Sequence, residues 1–153
     1  MSRALKKYSA IISEERPRIW RYSTAAGPTR SKFLLTLRDQ QKIMGTKCSS
    51  CGRAYVPARS TCLKCFKNMD EWVEVSDQGT VETFTVVHQS EPVYAEEIPF
   101  AFGVIKLDGA DTGLVHRIGG IDLETISVGM RVKAVFEDER KGDIRDIKHF
   151  QPV

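Results

Sequence analysis

Four cysteines fall within 18 residues, as Cys48-Ser49-Ser50-Cys51 and Cys62-Leu63-Lys64-Cys65, with ten residues between the pairs. Each C-x2-C lets two sulfurs converge from one tight turn, and four thiolates about 2.3 Å from a tetrahedral Zn2+ complete a closed coordination shell. Gly52 follows the first pair directly, where a backbone with positive φ is often required. Tyr55, Val56 and Pro57 lie between the pairs and suit the short strand that returns the chain. With all four positions filled by protein there is no place for a reactive water, so the expected role is structural. The metal supplies folding energy to a segment too small to bury its own core. A redox dithiol fits less well, because both pairs sit in one ribbon without a surrounding βαβ pattern. Four thiolates also suit iron, and the spacing alone leaves zinc and iron both open.

Other chemistry is thinly represented. The three histidines, His88, His116 and His149, each fall on a different predicted strand. None has a Ser, Cys or carboxylate at a recognisable spacing, so the expectation is surface residues and not a nucleophile triad. The cysteines are committed to metal, which leaves no thiol nucleophile. Gly119-Gly120 reads as a turn, and no phosphate-cradling glycine pattern occurs. The residues describe a scaffold with a metal and no catalytic site of its own.

The elements that must hold this ribbon come from 153 residues, 41% of them hydrophobic and 28% charged, ordinary values for a globular chain. Leu5, Tyr8 and Ile12 mark an amphipathic helix over residues 1–16, ended by Arg16-Pro17. Ile19 and Trp20 then sit among Arg16, Arg18 and Arg21. Ala26-Gly27-Pro28 breaks the chain, Ser31 is placed to cap a second helix carrying Phe33, Leu34 and Leu37, and Gly45 is placed to stop it. Such short helices need a surface for their apolar stripes, on their own domain or on another subunit. From residue 72 the pattern becomes β. Segments 79–89, 100–107, 112–118, 131–137 and 144–150 read as five strands, with a helical turn over 121–126 between the third and fourth. In 79–89 the alternation puts Val81, Thr83, Thr85 and Val87 on one face and Phe84 and Val86 on the other. The expected fold is therefore mainly β with N-terminal helices: a zinc ribbon followed by a five-stranded OB-type barrel. The divisions are a helical arm at 1–44, the ribbon at 45–75 and the barrel at 76–153.

Charge divides with these pieces. Residues 1–65 hold 14 basic and 3 acidic residues, a net of +11, whereas 66–153 hold 9 and 17, a net of −8. The chain's +3 hides that asymmetry, which points to partners or to packing between the halves. No stretch reaches the roughly 20 apolar residues of a membrane helix. The first 18 residues lack the apolar run of a secretory signal, and the cytoplasm is the expected compartment. A basic ribbon beside an OB barrel also suits a nucleic-acid-binding protein, the alternative reading, although here the barrel is the acidic half.

The motifs resemble, in combination, a family of small acyl-CoA-associated proteins with a rubredoxin-like zinc ribbon and an OB fold. The resemblance rests on C-x2-C-G at 48–52, aromatic-x-P-x-R at 55–59, G-x-V-x-x-F-T at 79–85, the strand at 99–107, Val128-Gly129-Met130-Arg131-Val132, and Phe150-Gln151-Pro152 near the end. It covers residues 40–153. Leu63 departs from the proline that the family commonly has after the third cysteine. The resemblance implies a non-catalytic, zinc-binding subunit of a heteromeric thiolase-type complex, with Cys48, Cys51, Cys62 and Cys65 as metal ligands. It further implies a thiolase-fold protein partner that supplies the catalytic residues, and coenzyme A at a site shared with that partner. A close-looking relative is the small subunit of the thiolase that cleaves 2-benzoylsuccinyl-CoA in anaerobic toluene degradation. Coenzyme A carries phosphates that a basic segment attracts. On this reading Arg53 and Arg59 in the ribbon, and Arg18 and Arg21 in the arm, are the candidate coenzyme A contacts.

Overall fold

A computed structural model describes residues 25–89 and 98–153. The predicted helix at 1–16, Trp20, and Arg18 and Arg21 lie outside the described residues. Helix α1, Gly27–Gln40, has Pro28 in its first turn, where the missing N–H costs nothing. The helix thus starts before Ser31, which lies within it and does not cap it. Phe33 and Leu37, one turn apart, are buried. The helix closes at Gln41, whose left-handed backbone (φ 55°) lets its N–H bond the Leu37 carbonyl at 3.1 Å.

Gly45 does not stop the helix. It lies inside strand β1, Ile43–Lys47. There a Cβ would sit 2.8 Å from the Tyr55 carbonyl oxygen, so the close approach of β2, Ala54–Tyr55, requires glycine. β1 is the centre of a three-stranded antiparallel sheet, with β2 on one side and β3, Glu71–Val75, on the other.

The remaining strands are β4 (Gln78–Val87), β5 (Phe100–Leu107), β6 (Gly113–Ile118), β7 (Arg131–Phe136) and β8 (Ile147–Pro152). They close into a barrel in the order β4-β5-β6-β8-β7, antiparallel except where β6 meets β8 at Ile118 and Phe150. This is the five-stranded OB arrangement, with a short 3-10 helix, Leu123–Thr125, between the third and fourth strands. Residues 144–146, expected as strand, form a second 3-10 helix because Asp143 and Asp146 cap each other's backbone.

A bulge between Val81 and Thr83 alters the faces of β4. Val81 is fully buried, but Thr83 and Thr85 turn outward, and Phe84 and Val86 pack on the core. The simple alternation read from the sequence is therefore broken one residue after Val81. The larger of two apolar clusters among the described residues joins Phe33 and Leu37 of α1 and Val56 of the ribbon to Ile105, Ile118, Val132 and Phe150 of the barrel. No helix among the described residues is long and apolar enough to cross a membrane.

Candidate metal centre

β1 delivers the chain to the first knuckle, and the second hangs from a bridge between Thr61 and Asn68. The two turns are built alike. Gly52 N–H donates to the Cys48 carbonyl at 2.8 Å, and Phe66 N–H to the Cys62 carbonyl at 2.9 Å. Cys48 N–H reaches the Arg53 carbonyl and Cys62 N–H the Lys67 carbonyl, both at 2.9 Å. Residues 52 and 66 both have positive φ, at 72° and 56°.

This pairing brings the four sulfurs within 4.8 Å of one another. The Cys51 and Cys62 sulfurs are 3.7 Å apart, close to the roughly 3.8 Å edge of a tetrahedron with about 2.3 Å metal–sulfur bonds. Cys48 and Cys62 are buried and Cys51 and Cys65 half-buried, over a small cluster completed by Tyr55 and Met69.

Electrostatics across the four thiols is uneven. The Tyr55 hydroxyl lies 3.4 Å from Cys62 Sγ, and the Cys65 N–H donates to the same sulfur at 3.4 Å. These donors, Tyr55 foremost, bring the Cys62 thiol down to about 6 despite its burial. Cys65 is pushed up to about 12, first by its hydrogen bond with Cys51 and then by burial. Without a cation, therefore, negative charge settles on Cys62 while Cys65 holds its proton. A dication stabilises all four thiolates together. The donor set fits a structural Zn2+, which when bound contributes cross-linking of the two knuckles.

Two of the four candidate coenzyme A contacts are described. Arg53 is exposed on the first knuckle. Arg59 is exposed at the far end of the loop, its backbone N–H and carbonyl both held by Thr46 Oγ1 at 2.9 and 2.8 Å. Sequence reasoning missed the Tyr55 hydroxyl as a partner of a ligand sulfur, since only the fold aims it at a cysteine seven residues on. It also missed the ribbon's attachment to the barrel. Ala54 N–H donates to Asp111 Oδ2 at 2.8 Å, and Val56 N–H to Thr112 Oγ1 at 2.9 Å. The Thr112 hydroxyl in turn donates to the Val56 carbonyl at 2.9 Å. Among the histidines, His88 is exposed and His149 half-buried, but His116 is buried, contrary to expectation.

Two family models match these pieces: the rubredoxin-like zinc ribbon domain of ChsH2 over residues 36–70, and the ChsH2 C-terminal OB-fold domain over residues 72–137. A DUF35 domain-containing scaffold protein of Methanocaldococcus jannaschii is 29% identical over 122 residues, spanning 76% of this chain and 86% of that one. A crystal structure of a DUF35-family protein of unknown function from Sulfolobus solfataricus is similar at 32% identity and TM-score 0.59, over 71% of this chain and 78% of that one. A chain of the Ltp2-ChsH2(DUF35) aldolase is similar at 25% identity and TM-score 0.60, over 90% of this chain and 98% of that one.

Proposed function

The chain belongs to the DUF35 family, and from that premise we propose that it is a non-catalytic scaffold subunit of a thiolase-like acyl-CoA enzyme. The observation that carries the reading is the metal centre itself. Its four cysteines close the coordination shell, so the metal serves folding, and the ribbon it folds is hydrogen-bonded to the barrel. The likeness along 90% of the chain to a DUF35 component of an aldolase supports a thiolase-fold partner that carries the reacting groups. In this arrangement Arg53 and Arg59, with Arg18 and Arg21, face the phosphates of coenzyme A at a site completed by the partner. Cleavage of 2-benzoylsuccinyl-CoA is the reaction of the pair.

The test is co-expression of the full chain with the thiolase-fold proteins of its own organism. A stable hetero-oligomer on size exclusion, and thiolysis by the pair but not by either protein alone, is the expected result. Turnover by the isolated chain, or oligonucleotide binding that falls steeply with salt in place of complex formation, would overturn the reading. A second arm removes residues 1–24 and spares α1, because Phe33 and Leu37 belong to the core. Weaker partner capture by that deletion is expected if the leading segment takes part in docking.

A further inference from the structure

The two knuckles make the same turn, yet they fill the left-handed position differently. The first uses Gly52 at φ 72°, and the second uses Phe66 at φ 56°. A bulky L-residue is disfavoured there, and the first knuckle demonstrates that the turn itself asks only for glycine. Nor does packing among the described residues explain the phenylalanine, because Phe66 is 80% exposed. Leu63, in the same loop, is 59% exposed. A large aromatic held in an unfavourable backbone state and left exposed by the described residues points to a contact beyond them.

The surroundings specify the contact's chemistry. Lys64 and Lys67 flank the two apolar side chains, both are exposed, and among the described residues neither has an ion-pair partner. From Cys48 to Met69 the ribbon carries Arg53, Arg59, Lys64 and Lys67 and no acidic residue. Leu63 lies between the ligands Cys62 and Cys65, and Phe66 directly follows Cys65 with its N–H bonded to the Cys62 carbonyl at 2.9 Å, so metal binding fixes the orientation of both before any partner arrives. A preorganised aromatic anchor ringed by cations suits a protein surface with an apolar pocket and a carboxylate rim.

We propose that Phe66, supported by Leu63, is the anchor through which the second knuckle docks into an apolar pocket, rimmed by carboxylates, on the thiolase-fold partner. The proposal rests on the scaffold reading above, and its test separates the two. Zinc-loaded full chain, wild type and variants, is titrated against the purified thiolase-fold protein with which it co-purifies in that co-expression. Phe66→Gly relieves the strained backbone, so it is expected to keep its zinc and melt no lower than wild type. It is nevertheless expected to bind the partner roughly thirtyfold or more weakly, the loss typical of a central anchor. Phe66→Leu falls between the two, and Lys64→Glu with Lys67→Glu weakens association chiefly at low salt. If wild type forms no complex, both the scaffold reading and this inference fail. If wild type binds and Phe66→Gly binds equally well, the anchor alone is refuted. A Phe66→Gly variant that loses only affinity for a single-stranded oligonucleotide also refutes it.

Discussion

His116 is the one histidine that folding takes out of water, with 8% of its surface exposed. Its Nε2 lies 3.2 Å from the Ile144 carbonyl, its ring meets Phe150 edge-on, and its Nδ1 has no hydrogen-bond partner. Burial is the main reason its imidazole titrates below the usual range. His149 moves the same way, first through burial and then through Lys148 and Arg117. Both rings therefore prefer to be neutral when folded, whereas the unfolded chain takes up protons near the ordinary value of 6.5. Below that pH the unfolded state binds more protons than the native one, so stability is full above it and declines as pH falls through the folded values. His116→Gln keeps a donor for the Ile144 carbonyl and removes the titrating ring. It should show a smaller drop in urea midpoint between pH 7.5 and 5.5 than wild type, with His149→Gln removing a further part. The comparison holds ligand-sulfur protonation constant, since all variants share the four cysteines. An identical drop in His116→Gln would show that the barrel interior does not titrate through this residue.

The secondary elements are governed by local backbone demands that side-chain periodicity only partly announces. Helix α1 ends because Gln41 adopts the left-handed conformation and bonds back to Leu37. Gln41→Gly retains that N–H and removes the Cβ penalty, so it should stabilise the protein by about 1 kcal/mol, raising Tm by a few degrees. Calorimetry at fixed zinc content checks this, and a lower Tm would mean that the Gln41 side chain contributes more than its backbone costs. The same residue explains what was hard to read. Gly45 looks like a helix stop, but the stop is the non-glycine Gln41, and Gly45 is kept small by the Tyr55 carbonyl across the sheet. That neighbour is a tertiary fact. The bulge after Val81 likewise redirects Thr83 and Thr85 without any glycine to mark it. The cysteine pairs and the barrel strands were legible because each rests on short-range spacing. His116's burial and the Tyr55–Cys62 contact were not, since the first arises where β6 meets β8 on closing the barrel and the second where the second knuckle folds back on β2.

At the scale of the molecule, no salt-bridged seam among the described residues cancels the charge asymmetry. Lys42 pairs with Glu74 within the ribbon sheet, while Arg131–Asp108, Lys133–Asp77 and Lys148–Glu137 form within the barrel and its turns. These exposed pairs contribute little each. The joint between ribbon and barrel is instead made by Asp111 and Thr112, at the β5–β6 turn, which bond the backbone of residues 54 and 56, and by Val56 in the shared core. Opposite charge thus remains on the exposed surfaces of the two pieces, and the joint combines apolar packing with a few uncharged backbone contacts and one carboxylate. Thr112 is the most exacting of these, for a single hydroxyl serves both the N–H and the carbonyl of Val56. Thr112→Val keeps the side-chain shape and leaves both backbone groups without that partner. It should cost about 1–3 kcal/mol in urea unfolding. The Val56 amide should exchange faster, while zinc content stays unchanged because no ligand or knuckle hydrogen bond is touched. If stability falls but the Val56 amide keeps its protection, the ribbon is held by the apolar core and not by this joint. If the amide alone loosens, the hydroxyl fixes local geometry without coupling the two pieces.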